Sequence, residues 1–326
     1  MATTTLSPTS SPSADSQKTV SRWPDRIFYA IIGLVGIGII ALAIAIVLIL
    51  VRNSKLSIDT FGWAFLYGTT WNPNAQIYGV VPFVAGTLIT SGIALLIGLP
   101  LALGAAIFIT TQAPRVLRTP VGVTIELLAA VPSVIFGFWG LIVVVPWMRT
   151  TVQPWLKDYF GWTGLFNGPA LGVGILTAGI ILAIMIVPTI CAVSRDTLLA
   201  VPTAQQEAAL SLGATDWETT RTASLPYARS GIIGGTILGL GRALGETMAV
   251  TLVIGNVDRV PTSLLSPGQT ISSLIANELL SNNGPLQASA ILECGLVLLA
   301  ISLGVNVAAR LLVWRITKSG RGETGA

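Results

Sequence analysis

The sequence predicts an all-α, polytopic membrane protein with six transmembrane helices and one short helical element on the cytoplasmic side. Three observations carry this. Hydrophobic residues make up 52% of the chain, charged residues only 10%, and the mean hydropathy is +0.79, far from the balance of a soluble domain. Runs of roughly 20 or more residues, almost free of charge, recur along the chain, and each can cross a hydrocarbon core about 30 Å thick as a helix. One polar stretch, EAALSLGATDWETTRTASLP at 207–226, interrupts them with helix start and stop signals of its own.

Residues 1–27 open with a Ser-, Thr- and Pro-rich stretch and read as a disordered cytoplasmic tail. The first span, 28–51, has an uncharged run well beyond the roughly 7–15 residues of a signal-peptide core, so it reads as a retained helix. An extracytoplasmic segment follows at 52–76. Its Trp63, Tyr67 and Trp71, with Tyr78 just beyond, fit interfacial anchors.

Residues 77–313 hold the other spans, 80–109, 120–147, 171–193, 231–254 and 288–313, before a cytoplasmic tail at 314–326. Pro100, Pro132 and Pro188 free backbone carbonyls at membrane depth, which is tolerated where protein or a wet cavity satisfies them. Gly231, Gly235 and Gly239 form a small-xxx-small face for close helix approach. The outer loop before the last span carries Ile271, Leu274, Ile275 and Leu279 at helical spacing, the pattern of a short helix lying on the outer surface.

Lys and Arg accumulate in cytoplasmic loops, and this fixes the orientation. With both termini inside, the inner set is Lys18, Arg22, Arg26, Arg115, Arg118, Arg195, Arg221, Arg229, Arg310, Arg315, Lys318 and Arg321, against Arg52, Lys55, Arg149, Lys157 and Arg259 outside. The protein is therefore expected in the cytoplasmic membrane, multi-pass, with both termini and the polar stretch inside.

Absent residues narrow the chemistry. The chain has no His, which excludes a His-based triad, metal site or proton relay. Cys191 and Cys294 lie inside spans without CxxC spacing and read as small apolar filler. No lysine follows the glycine of a phosphate-binding loop, so the chain has no nucleotide site of that kind and does not read as an enzyme.

The polar stretch builds two short helices. Pro202 and Thr203 suit a helix start and Gly213 a left-handed stop; Thr215 with Glu218 makes a capping box, and Pro226 is the expected end. A DNA-reading helix-turn-helix is excluded by charge, because Arg195, Arg221 and Arg229 are outnumbered by Asp196, Glu207, Asp216 and Glu218. No nucleic-acid partner is expected. A protein docking on the cytoplasmic side fits better.

Four ionisable residues fall within the spans: Glu126, Arg242, Glu246 and Glu293. Each costs about 3 kcal/mol near the bilayer centre and so should face protein or water. Glu126 and Glu293 sit near span ends, where snorkelling accounts for them. Arg242 and Glu246 are deeper and four residues apart, on one face of one helix. They read either as an anion path, Glu246 moderating the grip of the Arg242 fork, or as an intrahelical ion pair that helps insertion.

The polar stretch resembles the EAA coupling motif of ATP-binding-cassette importer permeases, with Glu207, Ala208, Ala209, Gly213, Leu225 and Pro226 in register. LLAAVPSVIFGFWGL (127–141), LTAGIILAIMIVPTICAVSRD (176–196), GGTILGLGRALGETMAVTLVIGN (234–256) and PTSLLSPGQTISSLIANEL (261–279) are similar to the phosphate branch of that family. The resemblance implies a MetI-like type I permease domain over 77–313 with a coupling element at 202–224. It also implies a permease subunit of an ATP-driven phosphate importer, with Arg242 and Glu246 on the substrate pathway. The implied partners are a second permease (PstA-like), an ATPase dimer (PstB-like) that binds ATP and Mg, and an external phosphate-binding protein (PstS-like), beside membrane lipid. No cofactor is expected in this chain. Alternatives are a permease for another oxyanion (sulfate, molybdate or phosphonate), a proton-coupled secondary transporter using Glu126, Glu246 or Glu293, and a signalling scaffold.

Overall fold

A computed structural model describes residues 23–280 and 284–319, with side chains left out at 24–25, 115 and 312–319. Most of the predicted tail 1–27 and the end of 314–326 lie outside the described residues. The chain divides into two compact units, Met1–Ile49 and Leu50–Ala326. Among the described residues there is no strand, only the isolated bridges Asn72–Ile77 and Gly255–Gly268.

The main helices are α1 (Trp23–Phe61), α2 (Val81–Ile107), α3 (Arg115–Ala130), α4 (Ser133–Trp139), α5 (Ile175–Leu199), α6 (Thr203–Ser211), α7 (Asp216–Thr219), α8 (Leu225–Gly245), α9 (Met248–Val253), α10 (Ile271–Glu278) and α11 (Pro285–Ser319). The described part of the first unit is the apolar run of α1, with large side chains such as Ile37, Ile39 and Leu42 exposed, as a lipid-facing helix requires. This helix starts five residues before the predicted span, and it ends at Phe61 rather than near 51. The outer segment after it is correspondingly shorter.

Five described helices are long and apolar enough to span a membrane: Arg26–Phe61, Val81–Gln112, Ser133–Thr163, Ile175–Leu199 and Pro285–Leu311. Two of the six predicted spans come out differently. The third, 120–147, is broken at Val131–Pro132, so an amphipathic α3 is separated from a long apolar helix that starts at Ser133. Val131 before Pro132 is extended (φ −65°, ψ 129°), the geometry a following proline favours. The fifth, 231–254, is broken at Glu246 into α8 and the six-residue α9.

α5 is the core of the second unit, with 67% of its most apolar 18 residues buried. The three glycines of the small-residue face serve it. A Cβ on Gly231 would meet Thr197, one on Gly235 would meet Val193, and one on Gly239 would meet Ile190, so α8 lies directly on α5 in a four-residue register. Gly98 of α2 gives the same close approach to Ile186 from another side. Cys191 and Cys294 are free and buried, the second in a smaller outer cluster with Phe65, Phe83 and Ile271.

Wide turns of the π type occur at Phe108–Gln112, Gly140–Val144, Met148–Val152 and Thr220–Ser224. Each ends two residues before a proline: Pro114, Pro146, Pro154 and Pro226. The cause is steric. A proline ring presses on the carbonyl four residues back and offers it no N–H, and a widened turn moves that carbonyl aside; the helix runs on at Pro146, Pro154 and Pro226, whereas before Pro114 it ends at Gln112 with Ala113 extended. Helix therefore continues through Pro226 into α8, against the expected stop there.

In the loop before the last span α10 forms as expected, with Thr270 and Ser273 making its capping box. It is not a surface helix: Ile271, Ser273 and Leu274 are fully buried, and the Gln269 backbone sits where a Cβ on Gly86 would go. Of the aromatics expected at the interface, Trp63 and Tyr67 are exposed, whereas Trp71 and Tyr78 are buried edge-to-face on each other. Trp71 Nε1 also donates to Glu278 at 3.1 Å.

Candidate coupling element and polar helix break

The polar element at 202–224 is built by backbone chemistry. At the end of α6 the Gly213 N–H donates to Leu210 O (2.9 Å) and the Ala214 N–H to Ala209 O (3.2 Å), the paired bonds of a Schellman stop. Gly213 supplies the left-handed conformation this stop needs, at φ +87°. The next helix starts with Thr215 Oγ1 accepting from the Glu218 N–H (3.3 Å), while the Glu218 carboxylate accepts from the Thr215 N–H (2.8 Å). The Thr215 N–H and, secondly, the Thr215 hydroxyl, which donates to the same carboxylate oxygen at 2.9 Å, hold the Glu218 carboxyl below its ordinary pKa.

Glu207 and Ala208 are exposed, Ala209 and Leu225 are half-buried, and Pro226 is exposed. The tip of the turn adds two residues that motif matching passed over. Leu212 is 90% exposed and Trp217 56% exposed on either side of Gly213, two large apolar side chains on the surface of the described residues. Behind the element lies a cleft of about 390 Å3, lined by Thr110, Arg118, Val201, Gln206 and Asp216 among others. The element is thus held at its two ends, by α5 through Ala200–Pro202 and by α8 through the wide turn.

The second feature is the broken fifth span. Glu246 lies beyond the helical end of α8 in extended conformation (φ −68°, ψ 128°), and its Oε1 accepts from the Ala249 N–H at 3.2 Å, capping α9. Arg242 and Glu246 therefore do not share a helical face. Among the described residues no ion pair joins them, which corrects the i, i+4 pairing expected from spacing. Half-buried Arg242 donates instead from Nη1 to Thr189 Oγ1 of α5, a long bond of 3.3 Å. A Cβ on Gly241 or Gly245, either side of it, would meet nothing within 4 Å. A guanidinium with one weak neutral partner and open space beside it keeps most of its donors for an anion.

The other two membrane charges are placed differently from expectation. Glu126 lies on α3, outside any continuous span, and pairs with Arg195 of α5 at 2.8 Å. Glu293 is 7% exposed, so it does not reach out to the interface. It lies one turn from Ser289, whose hydroxyl accepts from the Ser57 N–H (3.0 Å) and donates to Asn53 O (2.8 Å), bridging the outer end of α1 to α11.

With the break, the glycine-turned element and the central α5 in place, comparison with known proteins is informative. Residues 94–318 match the family described as the binding-protein-dependent transport system inner membrane component. The chain belongs to this family. Within it, the chain is a PstC-type permease: it is 45% identical over 296 residues to the phosphate transport system permease protein PstC of Mesorhizobium japonicum, covering 90% of both chains. The PstC of Pasteurella multocida is 50% identical over 273 residues, 82% of this chain and 85% of that one. A probable PstC from Methanocaldococcus jannaschii is 39% identical over 263 residues. Among solved structures, a bacterial ABC transporter involved in alginate import superposes with TM-score 0.59 at 18% identity, over 90% of this chain and 99% of that one. The MetNI methionine transporter follows at TM-score 0.52 and 18% identity, over 73% and 94%. Both share the fold with this PstC-type permease, a multi-pass, all-α, MetI-like membrane component.

Proposed function

We propose that this chain is the permease subunit through which an ATP-driven importer moves inorganic phosphate across the cytoplasmic membrane. The observation that carries the proposal is kinship with PstC proteins along nearly whole chains, 90% of each in one case. The ATP is hydrolysed by a separate ATPase dimer (PstB-like), a second permease (PstA-like) completes the path, and an external binding protein (PstS-like) delivers phosphate. Both termini and the 202–224 element face the cytoplasm.

The geometry fits this division of labour. Leu212 and Trp217 beside the Gly213 turn form an apolar tip of the size that seats in a groove on a protein partner, with Glu207 and Ala208 on its exposed side. Motion imposed there reaches the membrane along α5 and α8, since the element joins these two helices and they lie directly on each other. Arg242 and Thr189 stand on α8 and α5 respectively, so a shift of one helix against the other changes what the guanidinium can hold. Arg242 is the phosphate-facing group of the pathway, and Glu246 positions it indirectly by ending α8 and capping α9. Among the described residues nothing lies within 4 Å of where a Cβ on Gly234, Gly241 or Gly245 would stand, which leaves α8 open to close approach by the second permease.

The test is uptake of labelled phosphate by the assembled complex in liposomes, challenged with sulfate and with arsenate. The expected outcome is strong competition by arsenate, which shares the shape and charge of phosphate, and weak competition by sulfate. Equal competition by sulfate would assign the path to oxyanions in general and overturn the phosphate assignment.

A further inference from the structure

We propose that Arg195, Glu126 and Gly122 form a releasable clasp between α5 and α3, and that Arg195 is a positioning residue coupling the cytoplasmic element to the inner mouth of the path. The inference rests on the transport reading given above.

Arg195 makes both ion pairs found among the described residues. Its Nη2 lies 2.8 Å from Glu126 Oε1, on α3, and 2.9 Å from Asp196 Oδ1, its own neighbour on α5. Its Nε donates to the same Asp196 oxygen at 3.1 Å. The Arg195 side chain is 18% exposed, against 56% for Glu126 and 66% for Asp196. A glycine makes the fit possible: a Cβ on Gly122 would stand 2.7 Å from Arg195 Nη1, so the fork lies on bare α3 backbone. Gly122 and Glu126 are one turn apart, and together they bind one side chain from above and below.

The location gives the clasp a role. Arg195 is four residues from the end of α5, and α6 of the coupling element starts at Thr203. Glu126 is four residues before the end of α3, where the chain breaks at Val131–Pro132 into the long helix from Ser133. The clasp therefore joins the last turn before the coupling element to the last turns before a hinge. Arg195 has two carboxylate partners, one across the interface and one on its own helix. It can release Glu126 and still keep Asp196, so opening leaves the guanidinium paired and turns the Glu126 carboxylate, 56% exposed, over to solvent. Partly exposed pairs of this kind are weak enough to break and re-form within each cycle.

The experiment measures phosphate uptake and ATP hydrolysis in the same liposomes, containing the complete transporter. Arg195→Gln and Glu126→Gln should each lower the phosphate moved per ATP by about five-fold, with the complex assembled and hydrolysis sustained. Gly122→Ala removes no charge and displaces only the end of a flexible side chain; it should lower the ratio in the same direction and add nothing in the Arg195→Gln background. Asp196→Asn should act differently, because Arg195 then has Glu126 alone: turnover slows while the ratio stays as in the wild type. Normal coupling in Arg195→Gln or Gly122→Ala, additive losses in the double variant, or an Asp196→Asn that uncouples would each overturn the clasp. Failure of the wild-type complex to take up phosphate would overturn the transport reading instead.

Discussion

The turn at Gly213 and the break at Glu246 are both places where a helix ends on local hydrogen bonds, but only the second is also tied to a distant helix. At Gly213 every bond that stops α6 comes from within five residues, and Thr215 restarts the helix with its own side chain. At Glu246 the helix ends where a carboxylate leaves α8 to cap α9, while Arg242 reaches to Thr189, 53 residues away in sequence. The stop at Glu246 is local too, its carboxylate reaching three residues to Ala249, but the turn before it is tied to α5 through Arg242 and Thr189 and so shifts when α5 shifts.

The largest effect should separate these roles. Arg242→Gln should lower phosphate uptake by about 100-fold, the usual scale for losing a charged partner in a covered site, while the complex assembles and ATP hydrolysis persists. Near-normal uptake by that variant would leave the break with a structural role only. Gly213→Val comes next. A β-branched residue at φ +87° is strained by ~1–2 kcal/mol, and the turn should reshape so that hydrolysis runs on while uptake falls.

Glu246 sharpens the contrast further. Glu246→Ala leaves the Ala249 N–H without its acceptor, at a cost of about 1–3 kcal/mol, whereas Glu246→Gln keeps an oxygen in place. A thermal melt of the purified chain should therefore rank Ala below Gln, and Gln close to wild type. Equal losses would mean that the charge of Glu246 matters more than the cap.

The smallest effect lies in the outer loop, away from both regions. Burial, and secondarily the nearby Glu278 carboxylate, push the Asp258 carboxyl up to about 6. A raised acid binds its proton more tightly folded than unfolded, so its contribution is present at low pH and is lost as pH rises from about 4 to about 6. Asp258→Asn should remove that decline, on the order of 1 kcal/mol, and make the variant the more stable form at neutral pH in melts across this range.

The contrast also explains what the sequence reveals. Gly213, Thr215 and Glu218 are legible because turn and cap chemistry is written in adjacent residues. The register of Gly231, Gly235 and Gly239 is legible because helix faces repeat. The Arg242–Glu246 pairing fails because i, i+4 spacing predicts a shared face only while the helix continues, and nothing local to GRALGETM announces its end. The break at Val131–Pro132 carried a signal, the proline, but hydropathy averaged over it and joined an amphipathic helix to a spanning one. Continuation of the helix through Pro226 was missed for the opposite reason: proline alone reads as a stop, and only the widened turn before it lets the helix pass. Burial of Trp71, Glu293 and α10 depends on neighbours distant in sequence.

The most direct test of the account compares liposomes holding the full complex with liposomes holding this chain alone, each loaded with or without ATP at the ATPase side. Labelled phosphate should accumulate only with the full complex and ATP, and a proton gradient across vesicles holding this chain alone should drive none. Accumulation by this chain alone under a proton gradient would contradict the account and make the protein a secondary transporter.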